Sequence, residues 1–451
     1  MTKKCNKLTT VGFISLGCPK NTIDSERMLA EIAQADLVIT SEPDNADVVV
    51  INTCGFIAPA KAEAIDMITR AVRCKKRGTV KKVIVAGCLV QRMGKKLFSE
   101  VEGIDAVVGL DKRDSIARVI KKTLSHKPGL AYLDNTSKEQ SNAGILDDRT
   151  RLLITPGHWA YLRISEGCSH RCSFCTIPSI RGPFRSKPQN IIIEEAEELV
   201  RTGVVELNLI GQDTACYGRD LKEKRTLASL LSELAKIDRL EWIRLMYLYP
   251  AGIDLDLIEM VANAHKIVNY FDLPIQHINN RILKAMRRAE TADQIRRLIE
   301  NLRTAIPDVT LRTTLITGFP GETDDQFAEL LEFIKWACFD ALGCFAYCPE
   351  EGTPAAELPD QIPESVKNER LEELMLAQQE IAFAKNAERI GSKLKCLVDF
   401  ADNNTGKGRF QGQAPEIDSV CIINNCSADP GQFVDTKVVA TNDYDLVVEQ
   451  I

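Results

Sequence analysis

The chain has 451 residues, 45% hydrophobic and 27% charged, with a formal net charge of −6. That composition excludes a disordered or fibrous protein, and the length points to two or three domains. The negative balance argues against a protein that grips nucleic acid over its whole surface. Fifteen unevenly spaced cysteines in so long a chain suit a reducing compartment rather than a small disulfide scaffold.

At the start of the chain, Lys3, Lys4 and Lys7 precede an apolar run ending at Cys18, a superficial likeness to a lipoprotein signal. Val11 to Leu16 is too short for such a signal, and the cleavage pattern is wrong. No run of about 18 apolar residues occurs, so no membrane span is expected and the cytoplasm is the expected location.

Residues 1–125 alternate short apolar runs with helical periodicity. LTTVGFISLG, ADVVVINT and KKVIVAG read as buried strands. SERMLAEIAQA (after a polar turn at Asn21), AKAEAIDMITRAV and QRMGKKLFSEV read as the helices between them. Continuous Val/Ile runs separated by helices predict a small doubly wound α/β domain with a parallel sheet. Residues 126–153 turn polar, with KEQSNAG and DDRTR, and read as a linker or mobile crossover.

Residues 154–385 hold a second series. WAYLRIS, VVELNLIG, WIRLMYLY, NYFDLPI, VTLRTTLIT and ALGCFAY are candidate strands with helices between them, and Thr323 with Gln326 forms a capping box. Six βα units predict an open, partial barrel rather than a closed eight-unit one. A long helix from about Glu364 to Ile390 leads into residues 386–451. There CLVDFA, SVCIIN, FVDTKVVA and DLVVEQ predict a small all-β barrel. GKGRFQG, between the first two of these, has no following helix and reads as a β turn rather than a phosphate loop.

Directly after WAYLRIS comes GCSHRCSFC, in which Cys168, Cys172 and Cys175 show C-x3-C-x2-C spacing. The loop lies at a strand's carboxyl end, where α/β folds place their chemistry. Two metals fit three clustered thiols. Structural zinc would need a fourth ligand, with only His170 inside the loop and the next cysteine, Cys216, in another βα connection. A 4Fe–4S cluster on three cysteines instead leaves one iron open for reaction.

A second pattern is dispersed. Cys18, Cys54 and Cys88 each follow a predicted strand, at separations of 36 and 34 residues. Any one could be a buried structural thiol. In a parallel sheet, however, all carboxyl ends share one edge, so the three should converge as a second cluster site.

These features resemble known families. C-x3-C-x2-C on a partial barrel resembles the radical S-adenosylmethionine (radical SAM) superfamily, with Phe174 matching the aromatic before the third cysteine. SLGCPKNTIDSERM, INTCGFIAPAKAEAIDMI and VIVAGCLVQR resemble the N-terminal domain of the methylthiotransferases. EGCSHRCSFCTIPSIRGPFRSK, LIGQDTACYG, RLMYLYP, DLPIQH and TTLITGFPGET continue the match through the core, and the last domain resembles a TRAM domain.

The resemblance implies two 4Fe–4S clusters, with SAM chelated at the open iron of the Cys168, Cys172 and Cys175 set. A 5′-deoxyadenosyl radical then abstracts hydrogen from the substrate, and the second cluster supplies a methylthio group. No acid–base pair is expected beyond the cluster ligands. Gln212 and Asp213, Gln276, Thr314 and the turn Gly318 to Glu322 are candidate SAM contacts, the turn being equally explicable as structural. Arg181 and Arg185 are candidates to approach substrate or the SAM carboxylate, with solvent-facing roles as the alternative.

LGCPKN, INTCGFI, IRGPFRS and YLYP resemble the methylthiotransferases that modify an aspartate of the twelfth small-subunit ribosomal protein. The alternative substrate is a tRNA adenosine beside the anticodon. From Glu388 to Glu449 there are six Lys or Arg against ten Asp or Glu, which suits a basic protein better than a phosphate backbone. An electron donor such as flavodoxin or ferredoxin is implied as a partner. A non-catalytic two-cluster electron carrier is the rival from another class, for which six βα units are excessive scaffold. Cys344 and Cys348 have the x3 gap of a cluster pair but lie along the strand ALGCFAYC and read as buried free thiols, while Cys421 and Cys426, near a strand end with no His close by, read as inert.

Overall fold

The structure, a computed structural model, describes residues 8–133, 147–223 and 225–451. Lys3, Lys4, Lys7 and KEQSNAG lie outside them. The chain divides into two compact units: Met1–Ile154 with Glu166–Ser169 and Thr176–Lys187, and Thr155–Ser165 with His170–Cys175 and Pro188–Ile451.

The first unit is a six-stranded sheet of β1 (Thr10–Ser15), β2 (Val38–Thr40), β3 (Val48–Thr53), β4 (Lys82–Gly87), β5 (Ala106–Val108) and β6 (Leu130–Tyr132), in the order β2-β1-β3-β4-β5-β6. Every pairing is parallel. Side chains alternate between two cores. Val49, Ile51, Val83 and Val85 pack on one face, and Val48, Val50, Ile84 and Ala86 on the other. Covering both faces explains why the strand sequences are unbroken Val/Ile runs.

The three strands predicted here are β1, β3 and β4. Strands β2, β5 and β6 have only three residues each, too few to display a period. Strand β6 falls inside the predicted linker 126–153, so that segment is partly built into the sheet. Asp148, in the same segment, is fully buried between Lys187 (2.7 Å) and Arg27 (3.0 Å). Charges that looked solvated in the sequence are buried in pairs.

Two helices also depart from expectation. The first runs Pro19–Ala33, so Asn21 is a buried helical residue and not a turn; Pro19 presets the first helical φ and needs no donor. QRMGKKLFSEV does not form one helix, because Gly94 takes φ +56° and ends the segment Cys88–Met93.

The second unit contains the six expected strands: β7 (Trp159–Arg163), β8 (Glu206–Ile210), β9 (Trp242–Leu245), β10 (Ile267–Gln276), β11 (Thr310–Thr317) and β12 (Ala341–Ala346). They pair in parallel in sequential order, forming the open six-stranded arc of a partial barrel. Thr323 and Gln326 form the predicted capping box on the helix Asp324–Ala337. The long helix spans Glu364–Glu388.

A closed five-stranded barrel follows: β13 (Lys393–Asp402), β14 (Thr405–Phe410), β15 (Cys421–Asn424), β16 (Phe433–Asn442) and β17 (Asp445–Gln450), in the order β13-β14-β15-β17-β16. GKGRFQG is mostly strand β14 and not a turn. Its glycines permit close approach, since a Cβ on Gly408 would lie 2.4 Å from the Leu397 carbonyl oxygen.

This small barrel docks on the amino-terminal half of the large sheet through buried charges. Arg409 binds Glu206 (2.7 Å) and both oxygens of Asp399, while Glu206 also holds Arg244 (3.0 Å). Asp399 pairs with His158, Tyr161 donates to Glu416, and Tyr270 donates to Asp418. Removing one partner of such a network strands the others without solvent. Arg409→Met should therefore cost about 3–5 kcal/mol in chemical denaturation; a loss below about 1 kcal/mol would show that the contact is solvated.

Candidate functional site

In the first unit the three dispersed cysteines leave adjacent strands. Cys18 follows the end of β1 and caps the helix Pro19–Ala33, Cys54 directly follows β3, and Cys88 directly follows β4. Strands β1, β3 and β4 are neighbours in the sheet, so the thiols gather at one edge.

Glycines beside each cysteine make this crowding feasible. Gly17 has φ +98°, and a Cβ there would lie 2.7 Å from Cys54 Cβ. A Cβ on Gly55 would lie 2.7 Å from Leu89 Cα, and one on Gly87 (φ +95°) 2.3 Å from Asn52 Oδ1. Polar ties hold the loops from beneath: Asn21 donates to the Leu16 carbonyl (2.5 Å), Asn52 to Ser25 Oγ (2.8 Å) and Thr53 to the Ala86 carbonyl (2.6 Å).

Burial raises the Cys54 thiol above its ordinary range and pushes Cys88 up to about 12, and Arg181 opposes both shifts. Arg181 is 2% exposed and sits against Cys88 Sγ at 3.3 Å. It also binds Asp24 and Glu166, each at 3.0 Å. Of the two roles expected for Arg181, the solvent-facing one is corrected, because its guanidinium is buried among Asp24, Glu166 and Cys88. Three soft donors brought to one sheet edge, with a fixed cation against Cys88, fit an iron–sulfur cluster.

The C-x3-C-x2-C loop follows β7. Cys168 belongs to the first unit, where its N–H donates to the Gly182 carbonyl (3.1 Å). Cys172 and Cys175 belong to the second, where the Cys175 N–H donates to the Cys172 carbonyl (3.2 Å). Ser173 anchors this part, donating from N to the Met286 carbonyl (3.0 Å) and from Oγ to the Ala285 carbonyl (2.7 Å). Burial raises the Cys172 thiol, with Arg288 acting in the opposite sense.

The candidate SAM residues separate. Phe174 packs its ring with Ile282, Met286, Phe319 and Tyr347, which anchors the loop. Asp213 is buried and pairs with His170 of the loop at 2.7 Å. The His170 ring stacks on Tyr249 (3.8 Å, 10°), whose other neighbour is the Arg288 guanidinium at 4.0 Å. Cys216, a whole connection away in sequence, brings its sulfur within 4.8 Å of the His170 and Asp213 ligand atoms.

Gln212 lies just beyond the end of β8, half-buried, and Gln276 ends β10 with φ +76°. Thr314 lies inside β11 rather than at its end. The turn Gly318 to Glu322 is a structural hub: both Glu322 oxygens accept the Gly318 N–H, and the carboxylate binds Arg370 (2.7 Å) and buried His277 (3.3 Å). Cys344 and Cys348 are half-buried, and burial pushes Cys344 up to about 12. Cys421 and Cys426 lie in the core of the small barrel.

Sequence reasoning missed Asp24, Glu166 and Tyr249, and named His170 only as a possible zinc ligand. Each acts through a partner distant in the chain, so no local spacing announces it.

Comparison with known proteins agrees with this geometry. The model "Radical SAM superfamily" matches residues 162–334, "Uncharacterized protein family UPF0004" matches 10–109, and "TRAM domain" matches 390–451. Among solved structures, the radical S-adenosylmethionine methyltransferase TsrM from Kitasatospora setae has a TM-score of 0.56 at 14% identity, covering 83% of this chain and 89% of its own. The radical enzyme OxsB reaches 0.51 at 14% identity, covering 83% and 56%. Fold and domain matches thus define a radical SAM enzyme.

Ribosomal protein uS12 methylthiotransferase RimO of Geobacter sulfurreducens is 44% identical over 99% of both chains. The RimO of Syntrophomonas wolfei is 43% identical over 97% of this chain and 99% of its own, and that of Acetivibrio thermocellus 44% over 98% of each. The chain belongs to the family of ribosomal protein uS12 methylthiotransferases, RimO. Its reaction class is radical SAM methylthio transfer, dependent on 4Fe–4S clusters and S-adenosylmethionine.

The crowding at Gly17 gives a direct test of the thiol geometry. Gly17→Ala combines a clash with Cys54 and a left-handed φ, and should cost about 1–3 kcal/mol in urea denaturation. A loss under about 0.5 kcal/mol would mean that the two loops do not meet as described.

Proposed function

We propose that this chain transfers a methylthio group to the β-carbon of an aspartate in ribosomal protein uS12. In this reading Cys168, Cys172 and Cys175 hold the cluster that binds SAM, and Cys18, Cys54 and Cys88 hold the second cluster. The observation that carries it is the gathering of three sequence-distant thiols on neighbouring strand ends in a chain that also has the C-x3-C-x2-C loop. When bound, the first cluster with SAM supplies a carbon-centred radical and the second supplies sulfur.

The chain's own residues then have three tasks. Ser173 and Phe174 fix the loop against the helix Asn280–Ala285 and its apolar surround, so that two of its thiols are held before any metal arrives. His170, clamped by Asp213 and Tyr249, sets the middle of that loop. The glycine-flanked edge of the first unit buries Cys88 and half-buries Cys18 and Cys54, leaving these thiols within reach of a bound cluster. Hydrogen abstraction by a radical needs no general base.

The charge of the small β barrel supports a protein substrate. Asp402, Asp429, Asp435, Asp443 and Glu449 are exposed, whereas Arg409 is buried and already neutralised by Glu206 and Asp399. Against these five acids stand four exposed lysines, Lys393, Lys395, Lys407 and Lys437, so the surface lacks the basic excess a phosphate backbone requires. Among the described residues no helix is long and apolar enough to cross a membrane. A flavodoxin or ferredoxin is the electron donor in this reading.

The test is anaerobic incubation of the reconstituted enzyme with SAM, a reductant and either isolated uS12 or tRNA. Mass spectrometry should find the methylthio group on a uS12 aspartate. Modification of tRNA adenosine instead would overturn the substrate. Iron analysis should give about eight irons in the parent and about four after Cys18, Cys54 and Cys88 are replaced by alanine. Full iron in that triple variant would overturn the ligand assignment.

A further inference from the structure

The first unit contains a buried cation that the reaction scheme above does not use. Arg181 ends the short helix Ile177–Arg181, six residues beyond Cys175, and its side chain is 2% exposed. Its NH1 donates to Glu166 Oε1 at 3.0 Å, and its NH2 to Asp24 Oδ2 at 3.0 Å and Cys88 Sγ at 3.3 Å. The second oxygen of Asp24 is taken by Arg113 at 2.8 Å. Each terminal nitrogen of Arg181 thus already meets a carboxylate before the thiol is counted.

A simple internal tie would be complete at this point. What it would not require is the placement of one guanidinium edge on Cys88, the sulfur of a proposed cluster ligand. The guanidinium is a planar fork that can hold two carboxylates and still direct a donor at a third acceptor.

The geometry points to Arg181 as a positioning residue for the Cys18, Cys54 and Cys88 site, fixing Cys88 by a charge-assisted hydrogen bond and keeping a permanent positive charge beside the three sulfurs. Glu166 and Asp24 are its orienting partners, and Arg113 holds Asp24 in turn. A hydrogen bond to a ligand sulfur and a nearby cation both withdraw electron density from a bound cluster and favour its reduced form. Arg181 therefore raises the reduction potential at this site. Lysine keeps the charge but cannot hold Glu166, Asp24 and Cys88 together; methionine loses charge and donors alike.

The inference rests on the reading of Cys18, Cys54 and Cys88 as cluster ligands, and the experiment separates the two. The full chain with Cys168, Cys172 and Cys175 replaced by alanine is reconstituted anaerobically with iron and sulfide, so that only the N-terminal site gives a signal. Redox titration followed by electron paramagnetic resonance is then run on this parent and on the same protein carrying Arg181→Lys, Arg181→Met or Arg70→Gln.

At a fixed applied potential, Arg181→Met should lower the ratio of reduced to oxidised cluster about tenfold. Arg181→Lys should lower it severalfold, and the exposed Arg70→Gln, which removes a charge at the surface, should leave it unchanged. Should Arg181→Met fail to fold, with Asp24 and Glu166 stranded, Arg181→Lys decides alone. A foldable variant that holds the parent's iron with a ratio within about twofold of the parent's overturns the role of Arg181. A parent that binds no iron overturns the ligand assignment and the inference with it.

Discussion

In a parallel sheet every strand ends on the same edge, and this constraint governs how the protein assembles its chemistry. Cys18, Cys54 and Cys88 are separated by 36 and 34 residues, yet each follows a strand of one sheet and the three strands are neighbours. One βα unit of chain carries the backbone across the sheet and back, returning the next cysteine to the edge it left. The same rule places the C-x3-C-x2-C loop after β7 and the His170–Asp213 pair beyond the end of β8. The opposite ends of the large sheet receive the small β barrel, so docking and chemistry occupy different ends of the same strands.

Buried charge is the second organising element. Arg181, Asp24, Glu166 and Arg113 form one network in the first unit, and Glu206, Arg244, Arg409 and Asp399 form another in the second. Neither network adds much net stability over apolar residues of equal volume, because desolvating the charges offsets their attraction. What each enforces is a single arrangement, since a shifted register would leave an ion unpaired in a low dielectric. In the first unit that arrangement holds a cation on a thiol. In the second it holds a β barrel on the amino ends of the strands.

Much of this was legible in the residues. Val/Ile runs marked β3 and β4, which are covered on both faces, and short apolar segments between helical periods marked β1 and the six strands of the partial barrel. The capping box at Thr323 and the long helix to Glu388 were equally readable. Three-residue strands such as β6 were not, as a period needs more positions than they contain. GKGRFQG read as a turn because its glycines suggest flexibility, whereas in β14 they admit a neighbouring backbone. Arg181 read equally as a contact for substrate or as solvent-facing, since an arginine after a metal loop gives no sign of which anion will claim it.

The sequence by itself determined the class of fold, through the period of its strands, and its motifs carried the resemblance that led to the family. Only the tertiary structure decided which charges are buried together: Arg181 with Cys88, Asp24 and Glu166, and Arg409 with Glu206 and Asp399. The physical reason is that a charge finds its partner through space and solvent exclusion. The residues concerned lie between 10 and 203 positions apart in the chain, a range with no period to read.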